Sequence, residues 1–248
     1  MGRAFEFRKA RKMKRWSAMA KTFTRIGKDI SMAVKEGGPS PETNSRLRAV
    51  IQNAKSANMP KENVERAIKT ASGADSANYV EVSLEGYAPH GVAVFVECTT
   101  DNNNRTLANV RSYFNKCEGN LGTNGSLEFI FDRKAVFTFS ADKVEMDMEE
   151  LEMELIDAGL EEIDSDDGIV TITTDFPDFS NMQKQLEAMG IEVDSSELQR
   201  FANNTKTVAL EDAKLVLKLI DKLEEDEDVQ NVFHNMEMSE EILSHLEE

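Results

Sequence analysis

The charge of this chain is divided along its length, and that division limits what the two parts can do. Residues 1–72 hold 17 Lys and Arg against 6 Asp and Glu, a net of +11. Residues 73–248 hold 12 against 40, a net of −28, and the whole chain carries −17. An acidic chain repels phosphate when its charge is taken as a whole. A 72-residue basic block inside it reverses that inference locally and points to a surface for nucleic acid or for an anionic membrane.

The extreme N-terminus is the most cationic stretch. Arg3, Arg8, Lys9, Arg11, Lys12, Lys14 and Arg15 are opposed only by Glu6. An arm of this kind can follow a phosphate backbone. Phe5, Phe7 and Met13 give it little apolar content to insert into lipid, which argues against a membrane. Glu6 stands where a myristoylation site wants Ser or Thr, and the arm runs without a break into a helix, unlike a transit peptide. There is no apolar h-region and no apolar run of transmembrane length. With two cysteines, Cys98 and Cys117, there is no disulfide framework, and a reducing cytoplasm is the expected compartment.

Trp16, Met19, Phe23, Ile26, Ile30 and Ala33 recur at spacings of three and four and predict one apolar helical stripe. Lys14, Lys21, Lys28 and Lys35 repeat every seven residues on another stripe, joined by Arg25, and are read as an outward cationic seam. Gly37-Gly38-Pro39 ends the helix. Leu47, Val50, Ile51 and Ala54 mark a second helix. Pro60 suits the first turn of a third, with Val64, Ala67, Ile68 and Ala71 on its apolar face. Helix, short turn and helix fit a helix-turn-helix and equally any small three-helix bundle. Ser72-Gly73-Ala74-Asp75-Ser76 reads as a linker.

The acidic remainder alternates strand and helix. Strands are expected at 79–87, 92–99 and 127–131, with a helix at 102–117. Then come a strand at 135–139, a helix at 148–158, a hairpin of 161–163 with 169–173, a helix at 181–189 and a strand from Ile191. That order, β-α-β-β-α-β, is the ferredoxin-like sandwich. A short segment at 207–210, a helix through Leu223 and a strand at 229–236 complete the first set. The expected fold class is α+β: a basic helical N-terminal domain, 1–76, followed by two α/β ferredoxin-like domains, one inserted in the other. The outer one comprises 77–132 plus 205–248, and the acidic insert spans 133–204.

Catalytic chemistry is not legible. His90, His234 and His245 lack ligand-spaced neighbours, so no zinc site is expected. Gly119, Gly122 and Gly125 match neither a P-loop nor a dinucleotide fingerprint and are read as φ > 0 turns. Asp164 to Gly168 departs from a calcium loop by one position and reads as a hairpin turn. Residues 142–167 hold 13 acids and one Lys, read as a solvated face. Neither cysteine has a neighbour that would activate it. No enzyme, metal, cofactor or small-molecule substrate is expected. In Thr99-Thr100-Asp101-Asn102-Asn103-Asn104-Arg105-Thr106, Asp101 or Asn102 can cap the following helix. The Asn and Arg side chains there can also grip phosphate.

Several motifs together resemble the YebC family, which includes the mitochondrial translational activator of cytochrome oxidase. They are Asn44-Ser45-Arg46-Leu47-Arg48, Ala57-Asn58-Met59-Pro60, Glu65-Arg66-Ala67-Ile68, the stretch from Glu85 to Ala93 (EGYAPHGVA), that from Thr100 to Thr106, and that from Gly119 to Ser126 (GNLGTNGS). The resemblance covers nearly the whole chain. It implies the same three-domain fold and a non-enzymatic regulator that binds promoter DNA, or a ribosome-associated factor that helps translation through proline-rich stretches. Gly2 to Phe7 replaces the Gly-His-Ser-Lys-Trp opening of many members, and Glu118 and Ala88 stand where Gly is common. The expected partner is nucleic acid, either DNA or ribosomal RNA, with the ribosome as the corresponding assembly; a protein-interaction scaffold meeting a basic partner is the rival class. The candidate contact residues are Arg3, Arg8, Lys9, Arg11, Lys12, Lys14, Arg15, Lys21, Arg25, Lys28, Lys35, Arg46, Arg48, Asn102, Asn104 and Arg105.

Overall fold

The computed structural model describes residues 19–73 and 77–247. Their Cα packing forms two compact units. Unit one holds residues 19–28, 77–132 and 201–247, and unit two holds 29–73 and 133–200. Three helices come first: α1 (Met19–Gly37), α2 (Ser45–Ser56) and α3 (Lys61–Ala71). Trp16 of the expected apolar stripe and Ala74 to Ser76 of the expected linker lie outside the described residues. Along the rest of the stripe, Ile26, Ile30 and Ala33 are buried and Phe23 is partly so. Among the described residues no helix is long and apolar enough to cross a membrane.

In unit two, α1 ends as its glycines predict. Gly38 adopts φ +83° and its N–H returns to the Val34 carbonyl at 2.9 Å, the left-handed exit that glycine adopts without a Cβ penalty. Asn44 then does two jobs from a buried position. Its Oδ1 caps α2 by accepting from the Leu47 N–H at 3.0 Å. Its Nδ2 donates to the carbonyls of Ala33, 2.7 Å, and Gly38, 2.8 Å. A Cβ on Gly37 would stand 2.6 Å from the Asn44 amide, so this close approach needs glycine.

The sheet of unit two has the order β5-β6-β4-β7, from β4 (Phe131–Ser140), β5 (Leu160–Asp166), β6 (Ile169–Asp175) and β7 (Ser195–Ala202). Here α4 is Asn103–Lys116, in unit one; α5 (Met148–Ile156) and α6 (Phe179–Ala188) follow in unit two. Strand-helix-strand-strand-helix-strand with this spatial order is the ferredoxin-like arrangement expected from the sequence. Phe137, Phe139, Ile172, Leu151, Leu155, Met182 and Leu186 form its core. The β5–β6 hairpin turns through Asp167 and Gly168, both at positive φ, as read from the sequence. Along β7, the Asn53 amide of α2 pairs with the Ser196 backbone. Its Nδ2 donates to the carbonyl at 2.7 Å and its Oδ1 accepts from the N–H at 2.9 Å.

The sheet of unit one has the order β3-β1-β2-β8, from β1 (Val80–Ala88), β2 (Val92–Thr100), β3 (Asn120–Leu121) and β8 (Val229–His234), with antiparallel pairings throughout. Its helices are α4 and α7 (Leu210–Glu225), with the short α8 (Glu240–Glu247) at the end. Val94, Val96, Val110, Phe114, Val216 and Ile220 belong to the core cluster that α4 and α7 share with the sheet. Ala93, Phe95 and Phe233 join a second cluster with Leu127, Ile130 and Phe131. Strand β2 alternates between these clusters and is therefore apolar at every position from Val92 to Val96, as a strand covered on both faces must be.

Two local readings change. The strand expected at 127–131 is a single 3-10 turn, Glu128–Ile130, before β4 begins at Phe131. The turn buries Leu127, Ile130 and Phe131 together, a three-then-one spacing that a strand cannot deliver to one face. The expected φ > 0 role holds for Gly125 alone of the loop glycines. At Gly119 the constraint is proximity, because an added Cβ would lie 2.8 Å from the Tyr87 carbonyl oxygen.

Candidate nucleic-acid interface

The sequence reading placed Lys28 on an outward cationic seam. The structure places it inside unit one, 7% exposed. Its Nζ donates to Asp228 Oδ1 at 2.8 Å, to the Thr99 carbonyl at 2.9 Å and to the Glu227 carbonyl at 2.7 Å. An ammonium has three donors, and here all three are used. A heptad repeat on a straight helix drifts by only about 20°, so Lys21 and Lys28 do share a side of α1. What separates them is the neighbouring structure: the α7–β8 junction covers Lys28 and leaves Lys21 exposed.

Asp228 organises the polar run that precedes α4. Its Oδ2 accepts from Thr106 Oγ1 at 2.8 Å, Thr100 Oγ1 at 3.1 Å and Arg105 Nη2 at 2.7 Å. Arg105 also donates to Asp101 at 2.9 Å. Burial acts to raise the Asp228 carboxyl pKa, but hydrogen bonds from Lys28, Arg105 and Thr106 outweigh it and hold it at about 2. Asn102 Oδ1 caps α4 by accepting from the Arg105 N–H at 3.1 Å. Capping and the Asp228 hub thus use Thr100, Asp101, Asn102, Arg105 and Thr106. Asn103 and Asn104 remain exposed at the helix start.

A second buried acid holds the glycine-containing loop after α4. Glu85, on β1, is 1% exposed. Its Oε1 accepts from the Gly125 N–H at 2.8 Å and its Oε2 from the Leu127 N–H at 2.6 Å. The Gly122 N–H donates to the Glu85 carbonyl at 2.7 Å. Asp228 carried no mark in the sequence, and Glu85 appeared there only as the first residue of the Glu85 to Ala93 motif, with no role of its own. Asp228 ends the run Glu224-Glu225-Asp226-Glu227-Asp228, where composition gives no sign of which acid turns inward.

The other candidate residues divide into three groups. Arg3, Arg8, Lys9, Arg11, Lys12, Lys14 and Arg15 lie outside the described residues. Lys21 and Lys35 are exposed on α1, and Arg25 is half-buried with Nη2 donating to the Glu224 carbonyl at 2.8 Å. Arg46 pairs with Glu36 at 2.6 Å, and Arg48 pairs with Glu187 at 3.2 Å while donating to the Pro41 carbonyl at 2.9 Å. On α3, Lys61, Arg66 and Lys69 are exposed cations that were not among the candidates. Their spacings, five and three, gave no regular stripe to find.

The structure also bears on reactive groups. Burial, followed by the charges of Asp226 and Asp228, pushes the Cys98 thiol up to about 12, so it is protonated near neutrality. Among the described residues no group of three or more His, Cys, Asp and Glu is placed to hold a metal ion.

Comparison with known proteins supplies the remaining observation. Residues 3–74 match the TACO1/YebC N-terminal domain, and residues 79–236 match the TACO1/YebC second and third domains. The chain belongs to the TACO1/YebC family. A Flavobacterium johnsoniae member named "Probable transcriptional regulatory protein" is 61% identical over 236 residues, covering 95% of this chain and 99% of that protein. A Porphyromonas gingivalis member of the same name is 57% identical over 240 residues, 97% of this chain and 99% of its own. The crystal structure of a conserved hypothetical protein from Aquifex aeolicus aligns with a TM-score of 0.77 at 38% identity, covering 90% of this chain and 92% of that one. Within the TACO1/YebC framework, Asp228 and Glu85 both lie in the part matched by the second and third domains, and Lys28 lies in the part matched by the N-terminal domain.

Proposed function

We propose that this chain is a non-catalytic regulator of gene expression that binds nucleic acid through its N-terminal basic block. The observation that carries the reading is the charge division, +11 over residues 1–72 and −28 beyond them, in a family whose relatives are named probable transcriptional regulatory proteins. The cations of the arm neutralise phosphates, with exposed Lys21 and Lys35 on α1 extending the same charge. Lys28 is excluded from this surface and serves instead to hold α1. Asn104 and Arg105 add contacts at the start of α4, where Arg105 is half exposed despite its two carboxylate partners. The acidic remainder limits indiscriminate binding by repelling phosphate elsewhere.

A second reading, a ribosome-associated translation factor, uses the same cations with ribosomal RNA as the polyanion. The helix after the turn, α3, presents exposed Lys61, Arg66 and Lys69, side chains that meet phosphate in ribosomal RNA as in duplex DNA.

Salt titration and sedimentation test both. If about five phosphates are engaged, log affinity falls with log salt at a slope of about −4 to −5 on duplex DNA. A flat response overturns the nucleic-acid reading in either form. A promoter-binding regulator footprints a defined site against excess competitor. A ribosomal factor co-sediments with ribosomes and shows no preferred DNA site.

A further inference from the structure

Unit two carries, between α5 and α6, a groove of about 850 Å3 lined by Glu150, Met153, Glu154, Asp157, Lys184 and Gln185 among others. Helix α5 is apolar on two sides. Leu151 and Leu155 are fully buried in the core, while Met153 is 66% exposed and Ile156 58% exposed on the outer side. Large apolar side chains three residues apart on an exposed helix face add only about 0.2–0.5 kcal/mol to the helix, and they leave an apolar patch open to solvent.

Of the three acids lining the groove, Glu154 and Asp157 are not placed for the stability of α5. Asp147 caps the helix, accepting from the Glu150 N–H at 2.9 Å, and Glu149 and Glu150 suit the positive N-terminal end of the dipole. Glu154 and Asp157 sit at the opposite end, where negative charge is unfavourable, and no basic residue occupies the last turn. Glu150 and Glu154 form a like-charged pair one turn apart, which is also unfavourable. Among the described residues Lys184 is the one cation lining the groove. An apolar centre flanked by carboxylates that repel each other is relieved by a ligand bringing cations to the rim and an apolar side chain to the middle.

We infer that the α5–α6 groove docks a cationic amphipathic helix of a partner protein, with an apolar side chain seated beside Met153 and Lys or Arg side chains meeting Glu150, Glu154 and Asp157. Nucleic acid and anionic lipid carry the wrong sign for these carboxylates. A second copy of the chain meeting the same face across a two-fold axis would set carboxylates against carboxylates. Methionine, flexible and polarisable, suits an anchor that packs against apolar side chains of varied shape. The inference does not depend on the nucleic-acid reading, since no residue is shared between the two surfaces.

The test uses the full chain with labelled methionine methyl groups and two 14-residue peptides of identical Leu and Lys content. One is patterned as an amphipathic helix and the other is scrambled to remove its apolar face. At about 0.15 M salt, long-range surface attraction is screened beyond about 8 Å. The patterned peptide should shift the Met153 methyl signal and bind at least tenfold more tightly than the scrambled one. Met153→Ser, and separately Glu154→Gln with Asp157→Asn, should each reduce that affinity at least tenfold; the first leaves the melting temperature in place because Met153 is exposed, and the second holds or raises it because it removes charges unfavourable to α5. Equal binding of the two peptides, unchanged affinity in either variant, or shifts confined to methionines elsewhere would overturn the inference. So would a Met153 methyl already covered by another segment of the chain before peptide is added.

Discussion

Lys28 Nζ lies 2.8 Å from Asp228 Oδ1, with the two side chains 8% and 6% exposed and 200 positions apart in sequence. The pair holds the first part of α1 to the α7–β8 junction of unit one. Breaking a buried pair by removing one member leaves the other charge without compensation, at a cost of about 3–5 kcal/mol. Asp228→Ala should be the more damaging change, because it also strands the donors of Thr100, Thr106 and Arg105. Chemical denaturation of Asp228→Ala and Lys28→Met checks the order, and an Asp228→Ala protein as stable as wild type would contradict it.

The same carboxylate sets an acid dependence. Its pKa is depressed to about 2 in the folded chain, against an ordinary value of about 3.9 unfolded. The unfolded state therefore binds the proton first as pH falls. The stabilisation is complete above about pH 4 and is lost progressively between about pH 4 and pH 2. Asp228→Asn removes that contribution, so its stability deficit should be largest near neutrality and should shrink across this acid window. Urea midpoints of the two proteins from pH 5 to pH 2 measure the difference.

Glu85 is expected to govern the order of the loop it anchors. Glu85→Gln places an amide N–H2 among backbone N–H groups and leaves at least one buried donor unpaired, a loss of about 1–3 kcal/mol. Hydrogen exchange should quicken at Gly125 and Leu127 while amides of β2 stay protected. Equal protection of the loop in both proteins would show that the glycine approaches alone hold it.

Glu118 adopts φ +59° at the exit from α4, at one of the two positions where this chain departs from a common family glycine. The left-handed conformation costs a non-glycine residue about 1–2 kcal/mol. Part of that is offset by the larger chain entropy glycine has when unfolded. Glu118→Gly should raise the thermal midpoint by a few degrees. Ala88, the other departure, has φ −71° and ψ 171°, ordinary extended backbone, so Ala88→Gly should bring no gain.

Exposure separates the two roles assigned to the lysines of α1. Lys21→Glu should weaken nucleic-acid binding and flatten its salt slope without changing the melting temperature. Lys28→Met should lower the melting temperature. Binding and melting curves of the two single variants check this, and a Lys21 variant that binds as wild type would remove that residue from the surface.

The elements most legible in the sequence were those set by local periodicity. The helix at 148–158, the hairpin and the Gly-Gly-Pro helix stop all depend on residues within a few positions of each other, and α5, β5–β6 and the Gly38 exit appear where expected. The α+β class with a helical N-terminal region followed from the order of such elements, and the two four-stranded sheets agree with it. The candidate site was less legible because its chemistry is long-range. A lysine on a heptad stripe looks the same whether its neighbour is water or Asp228. The run from Thr99 to Thr106 looked too polar for capping alone, and the surplus is explained by a carboxylate more than 120 residues away. The 3-10 turn at 128–130 was missed because a short apolar run fits a strand equally well until its buried partners are known.

The two bonds between the Asn53 amide and Ser196 reach beyond holding α2 in place. Strand β7 is an outer strand of its sheet, and bare backbone there would invite a foreign strand to zip on. Asn53 takes that vacancy near its start, at the second residue of the strand, while the opposite border, β5, is lined with Glu161, Glu162, Asp164 and Asp166, whose shared sign turns away another copy of itself. Each border of this sheet thus carries a feature that discourages self-recruitment, a side-chain amide on one and a row of like charges on the other.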